Sequence, residues 1–460
     1  MDFNMGVAPV PRKNLRFGEA LRFWWWLGFV SFGGPAGQIA IMHRELVERR
    51  RWISERRFLH ALNYCMVLPG PEAQQLATYI GWLLHGKRGG IAAGALFVLP
   101  SLAILVVLSW IYARFGTVPA IAAVLAGVKP AVVAIVAAAA WRIGSRALRH
   151  PLLWAIAAGA FLALALAHMP FPLVLLGAAT AGVAGAKFWP ASVRMAGHAG
   201  TRANDAPALI DDDTPTPPHA RGSRVGLLLT VLAFVAIWAL AVGLLVATFG
   251  RESDFVTMAG FFTQAAFLTF GGAYAVLPYV LQHAVETYGW VTAGQVIDGL
   301  ALGESTPGPL IMVVAFVGFL GGWSKALPGP DALLGAAVVG ACVATFFTFL
   351  PSFLFILAGG PLVERTRGDL ALAAPLGAIT AAVVGVILNL AVFFAWRVFW
   401  PLSTATNPFA GPFDALSAIV AAVALLLLVT KRLEVIPLIA ASGALGWLAW
   451  ALASLGYSAT

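Results

Sequence analysis

Two stretches decide the reading of this chain: 61–81, "ALNYCMVLPGPEAQQLATYIG", and 299–318, "GLALGESTPGPLIMVVAFVG". Each is an apolar segment of membrane-helix length, and each is interrupted by Pro-Gly-Pro. Proline lacks an amide hydrogen and clashes with the preceding turn, while glycine accepts backbone angles that other residues resist. An unpaired backbone group is expensive in lipid, so such a break survives only inside protein or beside a polar cavity. Pro69-Gly70-Pro71 and Pro307-Gly308-Pro309 therefore predict helices that end and restart within the membrane.

The breaks belong to an internal repeat. An offset of 238 residues places Phe29-x-x-Phe32-Gly33-Gly34 on Phe267-x-x-Phe270-Gly271-Gly272, Val47-Glu48 on Val285-Glu286, Trp52 on Trp290, and one Pro-Gly-Pro on the other. Further along, Leu99-Pro100-Ser101 falls on Leu350-Pro351-Ser352 at an offset of 251, so the second half carries 13 extra residues. The predicted organisation is a first repeat over 1–187, a polar linker over 188–223, a connecting span over 224–248 and a second repeat over 249–460. The linker, rich in Pro, Asp, Ala and Thr, reads as a mobile connector with no pattern that forms a core.

Composition agrees with membrane helices. Of 460 residues, 60% are hydrophobic and 11% charged, against about 25% charged in soluble domains. Runs such as 91–111, 121–141, 225–247 and 370–396 approach or exceed the roughly 20 residues that span a bilayer. The net charge of +9 lies in loops, which is how membrane orientation is encoded; the expected partner is the bilayer and not nucleic acid. Cys65 and Cys342 supply neither a disulfide framework nor a metal cluster. No nucleotide loop, metal-ligand spacing or catalytic motif stands out, so neither an enzyme nor a cofactor or metal is expected. An ion gradient or the membrane potential is left as the energy source.

Charge also gives the second half its direction. The loop "HRELVERRRWISERR" carries Arg44, Arg49, Arg50, Arg51, Arg56 and Arg57, whereas its counterpart "LQHAVETYGWVTAG" has no Lys or Arg. Equivalent loops with opposite charge are expected of inverted repeats, because positive loops stay inside. The unpaired span before the second repeat supplies the odd crossing that inversion needs. The fold class is thus an all-α polytopic membrane protein of two inverted homologous repeats with interrupted or re-entrant helices. Full crossing everywhere gives 13 spans; hairpins give nine crossings and four re-entrant elements, with the N terminus cytoplasmic.

Each restarted half-helix presents free amides and a positive dipole end, which can hold an oxyanion. The candidate substrate-binding positions are Phe32, Gly33, Gly34, Pro35, Pro69, Gly70 and Pro71, with Gly271, Gly272, Ser305, Thr306, Pro307, Gly308 and Pro309 in the second half. Lys129, deep in an otherwise uncharged span, would add a full positive charge. Glu72 and Glu304 flank the two Pro-Gly-Pro turns and are candidates for carrying a coupling proton; capping a half-helix or pairing with arginine are their other readings. Asn63, Gln74 and Gln75 offer neutral hydrogen bonds, and His60 and Asp298 occupy matching interfacial positions.

Phe32-Gly33-Gly34-Pro35, the arginine-rich loop ending near Trp52 and "LPGPEAQQLATYIGW" together resemble the bacterial chromate ion transporter family in its long two-domain form. The resemblance implies export of chromate from the cytoplasm across the inner membrane, with isosteric sulfate as a competitor. A homodimer is a further allowed partner. Residue physics alone reaches "anion", and keeps a sulfate or other oxyanion porter and an anion channel open. Ala273 stands where the first half has Pro35, so the two sites need not be equivalent.

Overall fold

A computed structural model describes residues 15–32, 34–188, 208–212, 214–215, 217–220, 223–270, 272–325, 332–365, 373–403, 407 and 409–457. The first half begins with α1 (Phe17–Val30), α2 (Gly34–His43), a π-helical turn (Arg44–Arg49), α3 (Glu55–Val67) and α4 (Glu72–Phe115). It ends with α5 (Pro119–Ala147), α6 (Pro151–Ala165) and α7 (Phe171–Phe188); α8 (Arg224–Phe249) follows. The second half runs the same course: α9 (Asp254–Phe267), α10 (Ala273–Gln282), a π-helical turn (His283–Thr287), α11 (Ala293–Ser305) and α12 (Val313–Ser324). It closes with α13 (Leu333–Arg365), α14 (Ala373–Phe399), α15 (Ala415–Val429) and α16 (Val435–Tyr457).

The predicted breaks fall where the sequence puts them, and they reverse the chain. At 1.5 Å per residue, α1 to α3 and α9 to α12 reach at most about 21 Å, short of the roughly 30 Å hydrocarbon core. Tyr64 and Tyr79 flank Pro69-Gly70-Pro71, yet their ring centroids are 5.9 Å apart; a straight helix would separate them by roughly 22 Å. Gly299 lies directly against the Phe316 ring across the second turn. The earlier pair behaves alike: Phe23 of α1 packs edge-on against Trp52 beyond α2, at 4.9 Å. In the second half, the Trp290 indole donates to Asp254 at 2.8 Å, joining the start of α9 to the start of the next hairpin.

Each half thus opens with two re-entrant hairpins. The α4 helix divides at His85 and Gly86, whose backbone angles are non-helical, into a hairpin arm and a longer second arm. That second arm, α5 to α8 and α13 to α16 are the nine helical segments that remain outside the hairpins. Among the described residues six helices are long and apolar enough to cross a membrane, with α6, α7, α12 and α15 shorter apolar members. Four of these segments plus α8 separate the hairpins of the two halves, the odd number that inverted halves require.

Packing follows the inversion. The second arm of α4 meets its equivalent α13, and α5 meets its equivalent α14. In the outer layer the halves exchange partners: α5 packs on α15 and α16, while α14 packs on α6 and α7. Small residues allow the closest approaches, as where Gly127 of α5 meets Gly446 of α16. In contrast, the window of α8 that would cross the membrane buries none of its residues, so this helix forms the periphery.

The connector differs in part from its expected reading. Residues 189–207 lie outside those described, but the described residues between 208 and 220 form a strap across the first half. Leu209 and Ile210 donate backbone bonds to Arg51 and Trp52, and Ser54 returns one to Ile210. This is the one β-bridge among the described residues, Ile53 to Ile210. The Ser54 hydroxyl donates to Asp212 at 2.6 Å, and Arg57 donates to the Thr214 carbonyl at 2.5 Å. At its far end His219 bonds the Trp82 carbonyl, and Ala220 is fully buried. The strap therefore clasps the start of α3 and the end of the α4 hairpin arm, which confirms that both lie on one face. Apolar patterning missed it because backbone pairing and two short side-chain bonds hold it, with only Ala208, Ile210 and Ala220 buried as apolar anchors.

Candidate functional site

The four hairpin tips meet at the centre, and each Pro-Gly-Pro turn engages the other half. Gly70 donates its N–H to the Thr269 carbonyl at 2.8 Å, and Gly308 donates to the Ser31 carbonyl at 2.8 Å. These are equivalent bonds, since Gly70 and Gly308, and Ser31 and Thr269, match at the repeat offset. Both turns are buried. Gly70 and Gly308 have φ of 131° and 109°, angles that exclude other residues at low cost. Thus the backbone groups freed by the breaks in one half are satisfied by the breaks in the other, as a membrane interior demands.

Side chains at the two junctions differ. At the first-half break, Gln38 of α2 donates to the Gly308 carbonyl at 2.5 Å and, more weakly, to the Ser31 carbonyl at 3.3 Å. At the second-half break two carboxylates gather. Glu72 lies against Gly272, its Oε1 3.2 Å from where a Cβ would stand. Glu304 accepts from the Tyr274 hydroxyl at 2.5 Å, with both residues buried. Arg142, near the end of α5, is placed to act electrostatically on both Glu304 and Tyr274. The carboxylates come from opposite sides of their own turns, one just after Pro71 and one just before Pro307, yet they converge on a single break.

Other predicted positions sit differently. Gly33 and Gly271 lie outside the described residues. Phe32 is exposed at the first break, and Gly34 and Pro35, which open α2, are half-buried. The hydroxyls of Ser305 and Thr306 turn back on the Leu302 and Gly303 carbonyls of their own helix. Lys129 does not join the tips: its Nζ stands 3.9 Å from Asp298 and close to Gly294, at the far end of the α11 arm. Tyr112 donates to the same Asp298 at 2.9 Å. A cavity of about 350 Å³ includes His168, Gln264, Gln282, His283 and Asn389 in its lining, but none of the tip residues. The two Pro-Gly-Pro tips themselves are enclosed.

A model of the chromate transporter family matches residues 18–183 and 256–447, one match for each half. The chain belongs to the chromate transporter family. A chromate transport protein of Pseudomonas aeruginosa is 34% identical over 449 residues, covering 96% of this chain and 94% of that protein. One from Cupriavidus metallidurans is 29% identical over 400 residues, 87% of each chain. An uncharacterised transporter of Methanocaldococcus jannaschii is 24% identical over 380 residues. No solved structure matches. This member of the chromate transporter family is a multi-pass protein of the bacterial inner membrane and a transporter, not an enzyme. Both family-matched segments contain one FGG break and one Pro-Gly-Pro turn, so the crossed junctions join two copies of the family unit.

Some residues of the centre are not legible in the sequence. Gln38 and Tyr274 lie outside the repeated motif, and their repeat counterparts are Val276 and Ala36, so register gives no cue. Arg142 reads as an ordinary basic end of a span. Ser101 and Ser352 were visible as repeated residues, but their motif served only to set the register.

Proposed function

We propose that this chain exports chromate from the cytoplasm as a secondary transporter, by alternating access at the crossed hairpin tips. The observation that carries the reading is the reciprocal pair of bonds, Gly70 to Thr269 and Gly308 to Ser31. Two equivalent junctions built from inverted halves give the centre two equivalent ways to part, one toward each face. The strap, the arginine-rich loop and the N terminus then lie in the cytoplasm, with the linker 188–223 joining the repeats there. The oxyanion is held by neutral donors at the restarted half-helices around Gly34, Pro71, Gly272 and Pro309. Lys129 and Asp298 lie on the approach from the opposite face.

An inside-negative potential favours exit of a dianion by about 4.6 kcal/mol per 100 mV, so uniport is enough for efflux. Convergence of Glu72 and the Glu304–Tyr274 pair on one break favours a second reading of the energetics, in which a proton is also moved. Sulfate, with the same charge and shape, is expected to compete, and a homodimer is compatible with the exposed periphery. The test is chromate flux in proteoliposomes with potential and pH gradient set separately. Counterflow of labelled chromate driven by unlabelled chromate on the opposite side, with no potential or pH difference imposed, supports a transporter. Flux that follows the electrochemical gradient and shows no counterflow identifies an anion channel and overturns the proposal.

A further inference from the structure

Ser101 and Ser352 hold the same place in the two halves, each following a proline inside a long helix, α4 and α13. Proline brings no N–H, so the carbonyls of Leu96 and Phe347 lose their helical donors next to these serines. Both serines are 1% exposed, and neither hydroxyl has a hydrogen-bond partner. Ser109 of α4 and Thr345 of α13 are also buried and unpaired, but they lie away from the breaks, and the other buried hydroxyls near the tips are satisfied. Ser31, Thr78, Thr269 and Thr348 all donate to the carbonyl four residues back, at 2.6 to 2.9 Å.

The two unpaired hydroxyls lie against the Pro-Gly-Pro turns, again crosswise. A Cβ on Gly308 would stand 2.5 Å from the Ser101 Cβ and 2.7 Å from its Oγ. A Cβ on Gly70 would stand 2.5 Å from the Ser352 Oγ. The first-half serine thus touches the second-half turn, and the second-half serine touches the first-half turn. A buried hydroxyl donor without an acceptor is costly and contributes nothing to a folded protein. Two of them, at equivalent points of the two tip junctions, call for a ligand that accepts hydrogen bonds.

We propose that Ser101 and Ser352 are substrate ligands that donate hydroxyl hydrogen bonds to a tetrahedral oxyanion, one at each tip junction. The inference rests on the oxyanion-transport reading and adds the class of ligand and the groups that recognise it. Hydroxyls suit the task because they stabilise the ion without a fixed counter-charge, so it can leave again. Recognition by hydrogen bonds also discriminates by shape and acceptor set, favouring chromate, sulfate and molybdate over halides.

The experiment measures initial flux against concentration in proteoliposomes, and equilibrium binding to the purified protein, for chromate and sulfate. Ser101→Ala and Ser352→Ala are each expected to raise KM and Kd about tenfold, the usual scale for a hydrogen bond to an ion. Ser→Thr and Ser→Val at each site add similar bulk, so a better KM for Thr than for Val isolates the hydroxyl even if both perturb packing. Equal Thr and Val constants, or a double alanine variant within twofold of the parent, overturn the proposal. A parent that binds and carries sulfate but not chromate defeats the substrate reading alone, and the serines are then judged with sulfate. A parent that binds neither ion overturns both.

Discussion

The two breaks at the centre share a skeleton and differ in chemistry. At Ser31–Gly34 and at Thr269–Gly272, the residue two positions before the glycines accepts the opposite Pro-Gly-Pro amide at 2.8 Å. In both, that residue's hydroxyl bonds the carbonyl four positions back. Yet the first break is served by the neutral Gln38 and the second by Glu72, Glu304 and Tyr274. The comparison separates two requirements. Closing the backbone inside a membrane is a property of both repeats, and the inversion supplies it twice. Handling charge is needed at one junction, and duplication left each half free to change there.

The largest effect should come from breaking what the two junctions share. Gly308→Ala and Gly70→Ala both force a Cβ into the opposite helix at a positive φ, a strain of about 1–3 kcal/mol before any clash is counted. Transport should be lost and the melting temperature lowered in both. Gly34→Ala, also at positive φ but facing open space, should retain flux. If all three behave alike in vesicle assays, the close approach of the tips is not what matters.

Next come changes that strike only the acidic junction. Tyr274→Phe leaves Glu304 without its buried donor, a loss of about 1–3 kcal/mol. Glu304→Gln should abolish the response of flux to an imposed pH gradient while flux driven by potential persists. An unaltered pH response would leave Glu72 as the remaining proton carrier, to be tested by Glu72→Gln. At the neutral junction, Gln38→Leu removes two bonds to backbone carbonyls, so a stability loss of about 1–2 kcal/mol is expected, with the pH response intact. Calorimetry and flux on the same preparation separate these outcomes.

The smallest effect should lie farthest from the comparison. Lys129 is one-third exposed and 3.9 Å from Asp298, so Lys129→Met should cost no more than about 1 kcal/mol. Pairing it with Asp298→Asn should recover most of that loss. A change in oxyanion affinity as large as that of Ser101→Ala would instead make Lys129 part of the binding centre.

Much of this was legible in the chain. Pro-Gly-Pro and FGG at a fixed offset located all four hairpin tips, though not the break of α4 at His85–Gly86, and the loss of arginine from one loop gave the inversion. These features are written locally, as residues that cannot continue a helix or cannot leave the cytoplasm. The hairpins were one of two allowed readings, because a break does not say whether the chain reverses. What the sequence could not carry was the crossing of the tips, which depends on how two distant segments pack. The same limit hid Gln38 and Tyr274. It also hid the destination of Lys129, whose depth in α5 is apparent but whose reach toward α11 is not.

The strap at 208–220 gives these inverted halves unequal stiffness. Two identical halves trading conformations would connect end states of equal free energy, with the molecule resting as often in one as in the other. The strap's backbone pairing and its Asp212 and His219 contacts secure both ends of the α3–α4 hairpin. Among the described residues the α11–α12 hairpin has no such brace. If the halves alternate as proposed, displacing the braced hairpin would carry an added cost, and the cycle would have a preferred resting state set by a segment that touches neither junction.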